Sequence, residues 1–492
     1  MIRFVTLHVH SFCNRHFEMK RELYISVTER LRELIRGTEF EGHVLSVGGC
    51  VRDDIMGQEI KDIDLAVSLP DGGIRLAEWL DENGYTAFHV VTYPTYHTAM
   101  FHLKDYPDVE LETVQTRKEK YNDHNSRNPI TAFGTIEEDC MRRDLTINAL
   151  YRNISTGEVI DITGHGVDDI RDHIIRTPAD PDLTYDDDPL RILRCVRFAS
   201  RYGWAIEPVT WEGMLRNVPR LEIISRERIR DEFEKMLSCD HPMMAMELLR
   251  QSGAMHFVVP ELEKAYDMNQ NDYHFGTVWE HTMKVLGNIS AVTNNPDLRL
   301  AALLHDIGKV RTREEREDGS VHFINHELAG ADMVKEIMAR LKFPNRAIDN
   351  VSFLTLYHMM CKLWEGVKRS RLDRLIRRLQ YMCRTEKRFD ELMTLIHADN
   401  MAHAEGRCLP DQVPFIRMRT NEMIAEGSAM FEYKLWLTGN EIMDIKGLSS
   451  GPKVKECQEF LLKLAFVNPL QDKEKVIKHL KGYKLKKTKQ DE

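Results

Sequence analysis

The segment SVGGCVRDDIMG, followed almost at once by KDIDLAV, constrains this chain more than any other stretch. Gly48 and Gly49 end a short apolar run and open a helix. Such a turn brings backbone N–H groups close to a phosphate at the positive end of the helix. Arg52, one turn further on, offers a fork of donors to the same phosphates. Asp62 and Asp64 then fall at i and i+2 of a strand, so both carboxylates leave one face. Two hard carboxylates side by side suit Mg²⁺, which takes few protein ligands and fills its shell with water and substrate phosphates. Glu112, in the later segment VELETVQTR, is placed to add a third carboxylate to a two-metal clamp. Each piece is common alone; joined in this order they point to phosphate and metal chemistry.

Around this motif the pattern is α+β. HVLSV (43–47), DIDLAVSL (62–69), YTAFHVV (85–91), HTAMFHL (97–103) and VELETVQT (109–116) read as strands, and IRLAEWLDENG (74–84) as a helix closed by Gly84. KRELYISVTERLRELIRG reads as an amphipathic helix ended by Gly37. After Pro189 strand signals nearly vanish and helical periodicity runs to the C-terminus. The 492 residues give a prior of roughly three domains. The reading is an N-terminal extension and helix over 1–37, a mixed-sheet head over 38–180, and an α-helical region over 181–265. A second all-α domain over 266–405 and a helical C-terminal region with a basic tail over 406–492 follow. Residues 1–18 carry Arg3 and Arg15 with no acid before Glu18, a faint trace of a targeting segment without the apolar run or cleavage site of a secretory signal.

No stretch approaches the ~18 uninterrupted apolar residues that span a bilayer, so no membrane role is expected. Nine cysteines are scattered without a C-x-x-C pair, as in a cytoplasmic protein with reduced thiols. Net charge is −10, yet basic residues cluster. Residues 190–230 hold nine Arg against four Glu, residues 362–378 seven basic groups against two acids, and residues 472–489 eight Lys against two acids. Phosphates respond to local potential and not to total charge, so these islands predict a polyanion track. The stretch Arg216 to Arg230 with the Lys-rich tail is the first expectation, and 362–378 the next.

The glycine turn and the carboxylate strand are followed by RKEKY (117–121), CMRRDLTINALYRN (140–153) and DDDPLRILRCVRFASRYG (186–203). In this order the chain resembles the class II tRNA nucleotidyltransferases and bacterial poly(A) polymerases, over about residues 43–405. The resemblance implies a DNA polymerase β-type nucleotidyltransferase head and a template-independent transferase that uses CTP and ATP on tRNA. It makes Asp62 and Asp64 the Mg²⁺ ligands. Gly49, Arg52 and Arg143 become nucleotide contacts, with Gly48 and Arg142 beside them in the same motifs, and Asp188, Arg191, Arg194 and Arg197 line the nucleotide pocket. The family usually has Glu-Asp before the proline, whereas this chain has Asp187-Asp188.

That last group has a chemical logic. Cytosine and adenine both present an exocyclic amine beside an acceptor ring nitrogen, while uracil and guanine present the reverse. An Asp acceptor with an Arg donor therefore satisfies C and A and leaves buried groups unpaired against U and G, which is the condition for strong discrimination. A simpler role also fits: Pro189 suits the first helical position, making Asp188 an N-cap.

In the helical part, His281, the adjacent pair His305-Asp306, then His326, His358 and Asp399 follow in order. The pattern, with Gly-Lys after the pair, resembles HD-type phosphohydrolases, and HD modules appended to CCA-adding enzymes have this arrangement. Mixed N/O ligands favour a transition metal such as Mn²⁺, Ni²⁺, Fe²⁺ or Zn²⁺. The leading expectation is thus a CCA-adding enzyme with a working HD phosphohydrolase. The rivals are a poly(A) polymerase or a CC- or A-adding enzyme, an HD phosphohydrolase whose head only binds RNA, and a non-enzymatic tRNA chaperone.

Overall fold

The computed structural model describes residues 21–60, 62–120, 130–270, 275–361, 367–426, 437–467 and 473–485. The expectations for residues 1–18 and for the last lysines of the tail lie outside the described residues. The chain divides into two compact units, Met1–Val258 and Val259–Glu492.

Unit 1 opens with a helix over residues 21–35 (α1). Its buried residues Tyr24, Val27, Leu31 and Ile35 recur every three or four positions, which puts them on one stripe. Burying each such side chain contributes roughly 1.5–3 kcal/mol. The Tyr24 hydroxyl shares a 2.8 Å hydrogen bond with Ser46, joining this helix to the sheet. That sheet has seven strands: β1 (Val44–Val47), β2 (Ile63–Val67), β3 (Val91–Tyr93), β4 (Thr98–His102), β5 (Glu110–Gln115), β8 (Tyr151–Asn153) and β9 (Val159–Ile160). Between them in sequence, β6 (Arg117–Lys120) and β7 (Ile130–Phe133) form a hairpin of their own. The order in the large sheet is β3-β4-β5-β2-β1-β8-β9. Only β2 and β5 pair parallel, Asp64 opposite Glu112; the other neighbours are antiparallel.

Helices α2 (Gly49–Ile55), α3 (Gly72–Glu82), α4 (Ile136–Met141) and α5 (Gly166–Asp172) punctuate this head. Then come α6 (Pro181–Asp187), α7 (Leu190–Tyr202), α8 (Pro208–Asn217) and α9 (Arg226–Ser238). Four of the five expected strands form. YTAFHVV does not: Thr86 makes one isolated bridge to Leu103, and a strand begins only at Val91. This run lies at the sheet edge, and Phe88 is 61% exposed, so its β-branched residues have neither a second partner strand nor a core to cover. Helix α7 begins at Leu190, one residue later than expected. Asp188 Oδ1 still accepts the Leu190 N–H at 3.1 Å, so capping chemistry survives the shift.

Among its described residues, unit 2 is helical apart from the short hairpin Arg313–Glu315/Val321–Phe323 and one isolated bridge, Asn269 to Thr277. Helices Val278–Ser290, Pro296–Leu304, His326–Arg340, Asn345–Tyr357 and Glu386–Asn400 pack together, and each brings buried residues such as Val285, Leu300, Val334, Val351 and Leu392 to a shared core. A smaller apolar cluster further along the chain joins Leu437, Ile442, Cys457, Leu461 and Leu480.

Candidate functional site

In unit 1, the turn between β1 and α2 requires a glycine. Gly48 has φ 74°, a left-handed conformation, and an added Cβ would lie 3.4 Å from Arg143. Asp62 is exposed just before β2 and Asp64 is half-buried within it, with exposed Glu112 opposite on β5. Burial, then the charges of Glu112 and Asp62, push the Asp64 carboxyl up to about 6, against the pull of Arg143. The sheet therefore gathers three carboxylates beside the glycine turn and leaves them mutually repelling. A divalent cation suits that donor set, since its charge relieves the repulsion.

The guanidinium groups around them are held from below. Asp139, 1% exposed, takes Arg142 at 2.5 Å, Arg143 at 3.0 Å and the Tyr151 hydroxyl at 2.6 Å. Burial alone would raise its pKa, but the two arginines and Tyr151 win and hold it down at about 2. Buried Arg52 bonds Asn148 and Asp53. Asn148 in turn donates to Asp144, which accepts Arg194 at 2.8 Å. A chain of hydrogen bonds thus runs from α2 through the CMRRDLTIN segment to α7. Asp139 was missed from the sequence, although an acid three and four residues before two arginines is a helical pairing signal.

Along α7 the arginines are engaged and not merely solvated. Arg191 donates to the carbonyls of Thr184 and Arg142 at 3.0 and 2.6 Å, and Arg197 pairs with buried Glu232 at 2.6 Å. Asp188 pairs with Arg228 of α9 at 2.7 Å, a partner the sequence did not reveal.

In unit 2 the six expected ligands converge from five parts of the chain. His281 Nε2 lies 3.1 Å from Asp399 and 3.5 Å from Asp306, and His305 Nε2 lies 3.2 Å from Asp306. His326 and His358 reach the other Asp306 oxygen at 3.3 and 3.7 Å. Among the described residues, two groups have ligand atoms all within 4.8 Å of one another: His281 with His305 and Asp306, and Asp306 with His326 and His358. The head carboxylates do not form so tight a cluster.

The ring orientations carry the chemistry. Nδ1 of His305, His326, His358 and His281 faces the carbonyls of Ala302, Phe323, Thr355 and Ala402 at 2.8, 2.9, 2.6 and 3.4 Å. A carbonyl only accepts, so Nδ1 carries the proton and each Nε2 presents a lone pair. The Nε2 atoms of His281 and His305 then face each other at 3.3 Å, and those of His326 and His358 are buried without a hydrogen bond. Lone pairs converging on buried carboxylates fit a divalent transition ion, and the carbonyls behind them fix the tautomer as metal sites require. Burial opposes charge on Asp306, yet the ammonium of Lys309 beside it holds it well below its usual range.

Beside the cluster is a cavity of about 480 Å³, whose wall includes Asp306, His326, His358 and Asp399 and adds Lys309, His322 and His403. Lys309 and His403 were not picked from the sequence. Lys309 is 1% exposed and reaches Asp306 and Gln270 at 2.6 Å each. Its signal was the Gly-Lys after the His-Asp pair; His403, beyond the end of a helix, had none.

Three family models match the chain in order: the poly(A) polymerase head domain over residues 44–176, the probable RNA- and SrmB-binding site of polymerase A over 203–266, and the HD domain over 278–400. The mitochondrial CCA tRNA nucleotidyltransferase of Saccharomyces cerevisiae is 37% identical over 42% of this chain, and the match spans only 40% of that relative's length. The multifunctional CCA protein of Neisseria meningitidis is 30% identical over 75% of this chain and 84% of its own length. Among solved structures, the Bacillus stearothermophilus CCA-adding enzyme in complex with CTP matches with a TM-score of 0.57 and 21% identity, over 89% of this chain and 92% of that one. A tRNA nucleotidyltransferase complexed with a primer tRNA and an incoming ATP analog matches with a TM-score of 0.54 and 19% identity, over 79% of this chain and 97% of that one. These two likenesses speak for the fold.

Two predictions follow from the geometry. Because the folded protein keeps a proton on Asp64 up to about pH 6 while the unfolded chain releases it near 4, stability is lost as pH rises through that window. Metal-free Asp64→Asn should therefore melt higher than wild type at pH 7.5, by on the order of 1–3 kcal/mol, and equally at pH 4. Parallel melts at the two pH values check this, and equal melting at both would remove the repulsion. At Gly308 an added Cβ would sit 1.9 Å from the His326 carbonyl oxygen and 2.5 Å from the Gly330 nitrogen, both main-chain atoms that cannot swing aside. Gly308→Ala should cost about 2 kcal/mol or more and lower the metal content of unit 2, read by melting and elemental analysis.

With the three models falling in order and the Neisseria relative matched along most of its length, the chain belongs to the class II tRNA nucleotidyltransferase and bacterial poly(A) polymerase family, in the form that carries an HD domain.

Proposed function

We propose that unit 1 adds C, C and A to the 3′ end of tRNA from CTP and ATP, without a template, and that unit 2 hydrolyses phosphoesters. The observation that carries the first half is the placement of Asp64 opposite Glu112, with Asp62 one step away, beside the Gly48 turn. The relatives named as CCA enzymes support the choice of nucleotides. The role boundaries we assign are 38–180 for the head, 181–265 for nucleotide reading, 266–405 for the HD domain and 406–492 for the C-terminal region.

Asp62 and Asp64 would hold Mg²⁺, which supplies positive charge against the triphosphate as pyrophosphate leaves. Glu112, exposed beside them, accepts the proton of the tRNA 3′-hydroxyl as that oxygen attacks the α-phosphate. Arg52 and Arg143 orient the nucleotide, and both are pre-positioned by Asn148 and Asp139. Asp188 and the arginines of α7 read the base edge. Their present bonds to Arg228, Asp144 and Glu232 keep those charges paired while no base is there.

In unit 2, His281, His305, Asp306 and Asp399 would hold a transition ion such as Mn²⁺, Ni²⁺ or Zn²⁺, which supplies Lewis acidity toward a phosphoester. His326 and His358 complete the ligand set or contact the phosphate, and buried Lys309 fixes the Asp306 carboxylate. We assign 2′,3′-cyclic and terminal phosphates of RNA ends as the substrates, so that one chain cleans an end and rebuilds it. The eight cysteines of the described residues are all free, which supports work in the reducing cytoplasm. No described helix is long and apolar enough to cross a membrane.

The decisive assay offers tRNAs ending before the first C, the second C and the A to each NTP separately, with products read at single-nucleotide resolution. A stop after one A is expected; open-ended A tails would identify a poly(A) polymerase instead. Asp62→Ala should abolish addition and spare metal-dependent hydrolysis of 2′,3′-cyclic nucleotides, whereas His305→Ala should do the reverse. Loss of both activities in either variant would contradict two separate centres. Asp188→Ala should relax the preference for C and A over U and G. A variant that is only destabilised, by about 1 kcal/mol, with base choice intact would leave Asp188 the role of a cap.

A further inference from the structure

The basic residues of this chain differ in what neutralises them. Around α8 and α9, where the sequence places its densest cluster, Arg216 pairs with Asp182 at 2.8 Å, Arg228 with Asp188 at 2.7 Å and Arg230 with Asp231 at 2.7 Å, and Arg220 pairs with Asp186. Much of that island's charge is spent inside the protein.

The helix Arg369–Cys383 in unit 2 is different. It buries Leu372, Ile376, Leu379 and Cys383 on one side. On the other, Arg371, Arg374 and Arg378 are all exposed. Positions i, i+3 and i+7 fall within about 60° of one another and span roughly 10 Å along the axis, so the three guanidinium groups form one stripe. Among the described residues no carboxylate pairs with any of them. Three acids on this helix and on Gln412–Ala425 and its C-cap are already taken by other arginines. Asp373, on the same helix, is held by nearly buried Arg419 through two bonds of 2.7 and 2.9 Å. Glu422 and Glu426 bond Arg419 at 2.9 and 3.0 Å, and Glu426 also takes Arg369 at 2.5 Å.

We infer that the face formed by Arg371, Arg374 and Arg378 is an RNA-docking surface that grips the phosphate backbone of tRNA. The inference rests on the tRNA reading above. Charge complementarity selects the occupant: three planar donors on a rigid helix match successive phosphates, and arginine binds phosphate through paired hydrogen bonds. The contacts carry no sequence information, so the surface treats all tRNAs alike.

The test uses the full-length protein and a tRNA lacking its 3′ CCA. The triple variant Arg371→Ser, Arg374→Ser, Arg378→Ser should bind roughly 10-fold or more weakly at 0.1 M salt. The slope of log affinity against log salt should shrink by about 2–3, one counterion term per phosphate lost. A control, Arg171→Ser, Arg250→Ser, Lys335→Ser, removes the same formal charge from residues already paired with acids and should change affinity less than twofold. Unchanged affinity and slope in the stripe variant, or an equal loss in the control, overturns the inference. Should the triple variant melt early, the single reversal Arg374→Glu carries the same expectation of weaker binding and a flatter slope. Stripe-dependent binding to phosphatidylserine vesicles with tRNA affinity unaltered would also overturn it, in favour of a membrane. A wild-type protein that neither binds nor extends tRNA sinks the functional reading itself; a wild type that extends tRNA beside an unaltered stripe variant sinks only the docking surface.

Discussion

Both units are organised around aspartates that could not be buried unless they were paired. An isolated carboxylate in a protein interior is costly by several kcal/mol, so each buried one dictates what surrounds it. Asp139 gathers Arg142, Arg143 and Tyr151, and Asp144 gathers Asn148 and Arg194. Asp306 gathers Lys309 and four histidines. In the head the pairing aims guanidinium groups at the mouth of the glycine turn. In the HD domain the same logic converges imidazole lone pairs on one point. The candidate-site side chains are thus placed by ion pairs whose own role is structural.

The two centres differ in the kind of charge they leave unresolved. In the head it is negative: Asp62 and Glu112 repel the charge on Asp64, and Arg143 counters them. In unit 2 it is the lone pairs of His281 and His305, facing at 3.3 Å between two carboxylates. The first arrangement asks for a hard, oxygen-seeking ion that exchanges ligands with a triphosphate. The second asks for an ion that accepts nitrogen and stays. Side-chain chemistry alone would keep the two proposed activities distinct.

Local patterns were legible and partners from distant segments were not. Alternation put Asp62 and Asp64 on one face; Asp64 lies within β2, a central strand paired along both edges, and Asp62 just precedes it. The same β-branched signal misled at YTAFHVV, where the edge of the sheet offers no partner. The six candidate ligands could be picked out because His-Asp adjacency is rare, while His403 had only its position beyond a helix end. Arginine counts were the poorest guide. Charge can be counted from sequence, but Asp182, Asp186 and Asp188 neutralise arginines more than thirty positions away.

The parallel pairing of β2 with β5 has a consequence for how the head is assembled. Parallel neighbours cannot be joined by a tight turn, and here the connection carries α3, β3 and β4. Asp64 and Glu112 therefore meet only after this long crossover closes, an event with a high loop entropy and no local contact to hurry it. Closing it also forces like charges together. A nascent chain that has emerged only as far as β4 accordingly has the glycine turn, Asp62 and Asp64 but lacks Glu112, the third carboxylate. A divalent cation held there would relieve that repulsion, and so would favour closure of the crossover.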